Sequence, residues 1–318
     1  MVNKLSNYIQ NEMREIDPYK KKVKNLWKEI LKNKFCYIGL IPTFLLLFIF
    51  NYYPPISGIY HAFFEWDAAR AVFIGFGNFK ELLHDEILGV SIRNVIKLIL
   101  FGLVVGNVMP ILVAETLFNM KNDRARYYYQ ILFLVPMIVP GVVIILLWQF
   151  IYDGQIGLLN SVLKWIGLGY LQKAWLGSSD TALFALMFMG FPWISGTTTM
   201  IYLAGLQNIP ESVLDSATLD GAIGFVRFLK IDFPLILGQV KLLLILGIID
   251  GLQGFGVQLV LTQGGPGVST MVPGFHMFQQ AFTMGRFGYA CAIGLILFLV
   301  MLSLTYLNMK YIKSEIQY

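Results

Sequence analysis

"ESVLDSATLDGAIGFVRFLKIDFP", Glu211 to Pro234, is a polar stretch set between two long apolar runs. Val213, Leu214 and Ala217 recur at helical spacing among Glu211, Asp215 and Asp220, which predicts a short amphipathic helix. Just before it, Asn208-Ile-Pro-Glu211 reads as a helix start: Asn208 caps, Pro210 fits the first turn, and Glu211 reaches back in a capping box. Asp220-Gly221 ends that helix, because glycine takes a left-handed turn without strain. A second short helix is expected over Ile223–Lys230, carrying Phe225, Phe228 and Leu229, and Pro234 opens the next apolar run. The product is two short helices joined at a glycine bend. Such a unit either docks as a rigid knob in the groove of a cytoplasmic partner or serves as a connector lying on lipid headgroups.

Working outward, the whole chain is apolar. Of its 318 residues 57% are hydrophobic and only 14% are charged, with a mean hydropathy of +0.65. A soluble domain carries about a quarter charged residues, so the composition indicates a membrane protein. Six runs approach the roughly 20 apolar residues that a spanning helix requires. They are Phe35–Tyr60, Leu98–Ala114, Tyr127–Tyr152, Thr181–Pro210, Leu235–Leu252 and Phe287–Met309. The fold class expected is all-α: a polytopic membrane helical bundle of six transmembrane helices. Pro42, Pro110, Pro136, Pro140 and Pro192 fall inside these runs and predict bent helices.

Lys and Arg set the orientation. With the N-terminus inside, the inner segments hold sixteen of them and the outer segments seven, Arg93 and Lys97 among the latter. Both termini are therefore expected in the cytoplasm, and residues 208–233 on the cytoplasmic side. Residues 1–34 are polar and basic and do not read as a signal peptide. Within them Val23, Leu26, Trp27, Ile30 and Leu31 are spaced for an amphipathic interfacial helix, although a disordered basic tail fits the same composition. The remainder, 35–318, is expected to be one transmembrane domain in contact with membrane lipid. Nothing in the chain suggests a nucleic-acid partner.

Catalytic and metal chemistry find little support. His61, His84 and His276 are scattered, and Cys36 and Cys291 form no CxxC pair. No GxxxxGK[ST] phosphate loop is present, so the chain is not expected to hydrolyse ATP itself. For a solute pathway the most informative residue is Asp250, because a charge inside a span is costly. Gln253 lies one turn later, and Gly251 and Gly254 leave room for a ligand. Asp250 equally fits a water boundary or a tie between two helices. Trp148, Trp193 and Tyr202 suit either ring stacking on a sugar or anchoring at the interface. Lys241 lies near the inner end of its span and is placed to snorkel.

The opening stretch resembles the cytoplasmic signature of permease subunits of binding-protein-dependent ABC importers. That signature is Glu-Ala-Ala, three residues, Gly, nine residues, Ile-x-Leu-Pro. Here Asp215-Ser216-Ala217, Gly221 and Ile231-Asp232-Phe233-Pro234 keep the same spacing, with Asp for Glu, Ser for the first Ala and Phe for Leu. Asp220-Gly221-Ala222 resembles the "DGA" of the carbohydrate-importing members, and "LTQGGPGVST" (Leu261–Thr270) is similar to their "LTxGGP…T" segment. "YYPPISGIYHAFFEWD" and "FIGFGNFKELL" resemble their first span and first outer loop, and "FQQAFTMGRFGYACAIG" (Phe278–Gly294) resembles their last outer loop and final span. The likeness covers roughly residues 37–310.

It implies a type I ABC importer permease fold that translocates a carbohydrate delivered by an extracytoplasmic sugar-binding protein. It also implies a second, similar permease and two cytoplasmic ATPase subunits that bind the ATP and Mg. Asp215, Ser216, Ala217, Asp220, Gly221, Ile231 and Pro234 would couple the chain to the ATPase, in a bacterial cell membrane. The rivals are the same machine carrying glycerol-phosphate esters or another polar solute, a secondary transporter, which usually shows inverted repeats, and a non-transporting scaffold.

Overall fold

Lipid offers no hydrogen bond to a peptide group, so an apolar chain of this composition satisfies its backbone internally, as helices. The computed structural model describes residues 32–311 and is mostly helical. The expected amphipathic helix over Val23, Leu26, Trp27, Ile30 and Leu31 lies outside the described residues. Two compact units are delimited, one ending at Gly58 and one running from Ile59. The first holds α1 (Lys34–Leu47), a π turn (Phe48–Tyr52) and the beginning of α2 (Tyr53–His61), parts of a single helical run of 28 residues, 34–61. It is apolar around its whole circumference, as a helix surrounded by lipid requires.

The second unit opens with a departure from the all-α expectation. Strands β1 (Phe64–Trp66) and β2 (Ala71–Phe73) pair antiparallel, with Phe64 opposite Phe73. Asp67 turns the hairpin by accepting the N–H groups of Ala69 (3.0 Å) and Arg70 (2.7 Å). These bonds, Arg70 first, hold its exposed carboxyl below the ordinary value. After α3 (Gly77–Leu82) comes α4 (Glu86–Phe118), a helix of 33 residues. It extends well beyond the charge-free run Leu98–Ala114, so Arg93 and Lys97 stand on its first turns rather than in an outer loop.

Helices α5 (Asp123–Leu134) and α6 (Gly141–Ile151) occupy the run Tyr127–Tyr152, and α7 (Leu158–Trp165) follows outside it. The pair α5 and α6, with a 3-10 turn at Val135–Ile138, is bent by 88° around Pro136 and Pro140. The run Thr181–Pro210 is likewise divided, into α8 (Ser179–Phe188) and α9 (Gly196–Gln207). Gly190 and Trp193 have positive φ, and Pro192 supplies no N–H, so residues 189–195 cannot continue a helix. Four helices are long and apolar enough to span: 34–61, 86–118, 237–261 and 287–311. These four are counted among the described residues, and the bent pair adds a fifth if it forms one broken span rather than a re-entrant loop.

The remaining elements are α10 (Glu211–Leu219), α11 (Gly224–Arg227), α12 (Phe233–Leu235), α13 (Leu237–Gln253), α14 (Gly256–Leu261), α15 (Pro273–Phe278) and α16 (Phe287–Tyr311). Helix α4 is the spine, packing along α9 and α13, and α13 packs in turn on α16. Close approach depends on small residues, as in lipid-embedded interfaces generally. A Cβ on Gly251 would meet Ile99 of α4 at 2.6 Å, and one on Gly247 would meet Leu103 at 2.8 Å. Three buried clusters result. One joins Ile111, Ala114 and Leu117 of α4 to Leu203 and Leu206 of α9 and to Ile236. Another gathers Ala62, Leu82, Leu88 and Tyr289, and the third Val95, Leu252, Val272 and Phe275.

Candidate functional site

The polar stretch folds as two helical pieces around Gly221, though not with the expected start. Asn208 closes α9, its N–H donating to the Gly205 carbonyl at 3.2 Å. Pro210 is the N-cap of α10 and no side chain caps it, so the Asn208–Glu211 capping box does not form. The other end is as expected. The Ala222 N–H donates to the Ala217 carbonyl (2.8 Å) and the Gly221 N–H to the Thr218 carbonyl (3.1 Å). This Schellman closure places Gly221 at φ +77°, open to glycine and strained for other residues.

The seven residues of the motif divide by exposure. Asp215, Ser216, Asp220 and Gly221 are exposed, beside Leu219, Ile223 and Phe225. Ala217 is buried, and Ile231 and Pro234 are half-buried. Val213 and Leu214 pack on the cluster that joins α4 to α9. One face of the unit is thus fastened to the bundle, and the other presents apolar and acidic side chains.

Fastening is also polar, through residues that the sequence reading passed over. After α11 the chain forms a π turn, Phe228–Asp232, which brings Arg227 Nε to 2.9 Å from Asp232 Oδ2. The same guanidinium donates to Asn119 Oδ1 (2.5 Å), at the C-terminal cap of α4, and lies 3.6 Å from Glu115 Oε1. Asp232 is fully buried, and the Arg227 and Glu115 side chains are half-buried.

Residues of α4, α9 and α13 line a half-open cleft of about 920 Å3. Gly102, Gly106, Ser195, Thr198, Asp250 and Gln258 are among the residues on its wall. The Asp250 carboxylate makes no hydrogen bond or ion pair with another described residue. Its carbonyl accepts the Gly254 N–H (2.7 Å) at the break between α13 and α14. An interrupted span beside an acid suits the recognition of a polar solute.

Other candidates stand elsewhere. Gln253 turns away from the cavity, its Nε2 3.6 Å from Met301 Sδ on α16. Trp148 packs against Tyr152, with ring centroids 5.2 Å apart, and is not on the cavity wall. Tyr202 is fully buried and donates to Asn107 Oδ1 (2.5 Å), which makes it a core residue. Trp193 faces a smaller adjoining recess. Lys241 Nζ donates to the Met309 carbonyl in the last turn of α16 (3.1 Å), as a snorkelling cation does.

At the opposite end of α4 stands a second constellation that the spacing of the histidines concealed. Asp85 caps α4 by accepting the Leu88 N–H (2.9 Å). Its other oxygen accepts the Tyr289 hydroxyl (2.6 Å) and lies 2.7 Å from His276 Nε2. Burial pushes the Asp85 carboxyl up. The Tyr289 hydroxyl, the Leu88 N–H and His276 together outweigh burial and hold it below the ordinary value. The Leu261–Thr270 segment is tied to α4 through Asn94 Nδ2, which donates to the Val268 carbonyl (3.3 Å) and to that of Met271 just beyond it (3.0 Å), and within the segment Thr270 Oγ1 donates to the Gly265 carbonyl (2.9 Å).

A helical bundle with an interrupted helix pair and a cavity bearing an acid suits a solute-transport subunit. Residues 106–314 match the model of the family described as "Binding-protein-dependent transport system inner membrane component", and the chain belongs to that family. It is 30% identical to the probable ABC transporter permease protein YurN of Bacillus subtilis, over 87% of this chain and 96% of that one. Identity to the multiple sugar-binding transport system permease protein MsmF of Streptococcus mutans is 28%, over 90% and 98% of the two chains. The fold is shared, at a TM-score of 0.79 and 24% identity, with a chain of a bacterial ABC transporter involved in the import of the acidic polysaccharide alginate. That match covers 91% of this chain and 100% of the other. The protein is a multi-pass transport permease subunit.

Proposed function

We propose that this permease imports a carbohydrate as one of two transmembrane subunits, with two cytoplasmic ATPases and an extracytoplasmic solute-binding protein as partners. Six spans and cytoplasmic termini belong to this reading. The observation that carries it is the exposed, glycine-bent pair of short helices at 208–233, rigid enough to transmit a rigid-body displacement from an ATPase cleft. Asp215, Ser216, Asp220 and Gly221 form its docking face, and Ala217, Ile231 and Pro234 hold its shape. Asp250 lines the solute route on the wall of the cavity, and Gln253 and Trp148 remain proposed for that route away from this wall. ATP and Mg are bound by the partner.

The sugar-transport names of MsmF and of the diacetylchitobiose permease NgcF of Streptomyces coelicolor favour a carbohydrate. The cavity supports the same choice. Among the described residues on its wall there is an acid and no Lys or Arg, which suits hydroxyl groups and disfavours a phosphate ester.

Substitution at Gly221 tests the docking role. A Cβ there meets nothing within 4 Å in this chain, so only backbone strain of about 1–2 kcal/mol opposes the change. Gly221→Leu is expected to leave a folded permease that no longer retains the ATPase on purification. ATP hydrolysis stimulated by a carbohydrate-loaded binding protein is lost with it. Full retention of the ATPase by this variant would refute the reading.

A further inference from the structure

We propose that Arg227 is a positioning residue that makes the helix pair 208–233 and the cavity wall move as one body, an inference that rests on the docking role proposed above. The covalent routes from this pair into the bundle are α9, through Asn208, and α13, through Ile236. Helix α4 has no such route, yet Ile99, Gly102 and Asn107 on it form a wall of the cavity. Arg227 supplies the missing attachment. It grips Asn119 and Glu115 at the end of α4 while its Nε holds Asp232 on its own segment.

The local backbone serves this contact. In an α-helix residues five apart diverge by about 140°. The π turn, closed by the Phe233 N–H on the Phe228 carbonyl, stacks them, and so aligns Arg227 with Asp232. The guanidinium also sits at the C-terminal end of α4, where carbonyls concentrate negative charge. Glu115 is unfavourable in that last turn unless a cation stands beside it.

Packing alone does not call for this arrangement. Phe118, Val213, Leu214 and Phe228 already meet apolar neighbours at the join. Two carboxylates share one guanidinium, and Glu115 Oε2 and Asp232 Oδ1 are buried without a hydrogen-bond partner among the described residues. A buried charge cluster left incomplete costs stability relative to apolar packing. What it adds is direction: a forked cation fixes the angle between two elements, whereas apolar side chains slide.

The test measures whether the two elements keep one distance. Nitroxides are placed at the exposed positions Leu219 and Val108, in a chain whose Cys36 and Cys291 are changed to Ala. Distances are read by electron–electron double resonance in the importer assembled with its partners, nucleotide-free and vanadate-trapped. The expected result is one narrow distribution, the same in both states. Arg227→Gln roughly doubles its width in the trapped state, and Glu115→Gln added to it widens it no further. Arg227→Lys keeps the charge but loses the fork, and leaves the distribution broad. A wild-type distance that shifts on trapping overturns the inference. So does an Arg227→Gln distribution as narrow as wild type, or an Arg227→Lys distribution as narrow as wild type. The docking role is judged separately by the Leu219 label: if adding the ATPases leaves its mobility unchanged, that role fails.

Discussion

Asp85 shows how one side chain can close one end of a bundle. It accepts from α4, from α15 and from α16 at once, and no neighbouring residue in the chain takes part beyond Leu88. A carboxylate held below its usual value of 3.8 stabilises the fold above that value, and the contribution is lost as the pH falls through the lowered one. The melting temperature of the purified permease is therefore expected to be level from neutrality to about pH 4 and to fall below it. Asp85→Asn keeps an acceptor for the Leu88 N–H but gives up the charge. It is expected to cost about 2 kcal/mol at neutral pH and to flatten the acid decline. An unchanged acid decline in the variant would assign that decline to other carboxylates. The same residue marks a limit of reading the chain unaided. His276 and Tyr289 stand about two hundred positions away in sequence, so no spacing rule brings them to Asp85. Gly221 is the opposite case: its left-handed turn is a local demand, visible in Asp220-Gly221-Ala222 alone.

Among the elements, the hairpin β1–β2 is the clearest test of close packing. It lies on the first turn of α16, where a Cβ added to Gly288 would meet the Phe64 carbonyl oxygen at 2.0 Å and the Trp66 nitrogen at 3.0 Å. Both are backbone atoms of a paired strand and cannot rotate aside. Gly288→Ala is expected to cost about 1–3 kcal/mol. Gly294→Ala, two turns further on, meets only the flexible Met277 sulfur at 3.3 Å and is expected to cost under about 1 kcal/mol. Equal melting temperatures for the two variants would contradict this packing. Element boundaries were the least legible part of the chain, for physical reasons. Charges stop an apolar run but not a helix, so α4 continues through Lys97 and Arg93. Proline and glycine inside an apolar run do stop a helix, so the runs at 127–152 and 181–210 are each divided. The π turn at Phe228–Asp232 shifts the register by one residue, and with it went the pairing of Arg227.

For the molecule as a whole, the distribution of Lys and Arg argues for one orientation. Sixteen fall on one side of the bundle by the sequence-based assignment and seven on the other. Moving Arg93 and Lys97 onto α4 leaves the asymmetry standing, because both belonged to the smaller group. The excess faces the cytoplasm in membranes of this kind. On the proposed function the helix pair at Gly221 would lie inside, facing the ATPase, and the hairpin at Asp67 outside, facing the binding protein. Leu219 is 88% exposed, and Ala69 is exposed at the hairpin tip. In a chain with Cys36 and Cys291 changed to Ala, a cysteine at Ala69 is expected to react with an impermeant maleimide in intact spheroplasts. One at Leu219 is expected to react only after permeabilisation. The reverse pattern would place the glycine-bent pair outside the cell, beyond the reach of ATP, and the transport mechanism would fail with it.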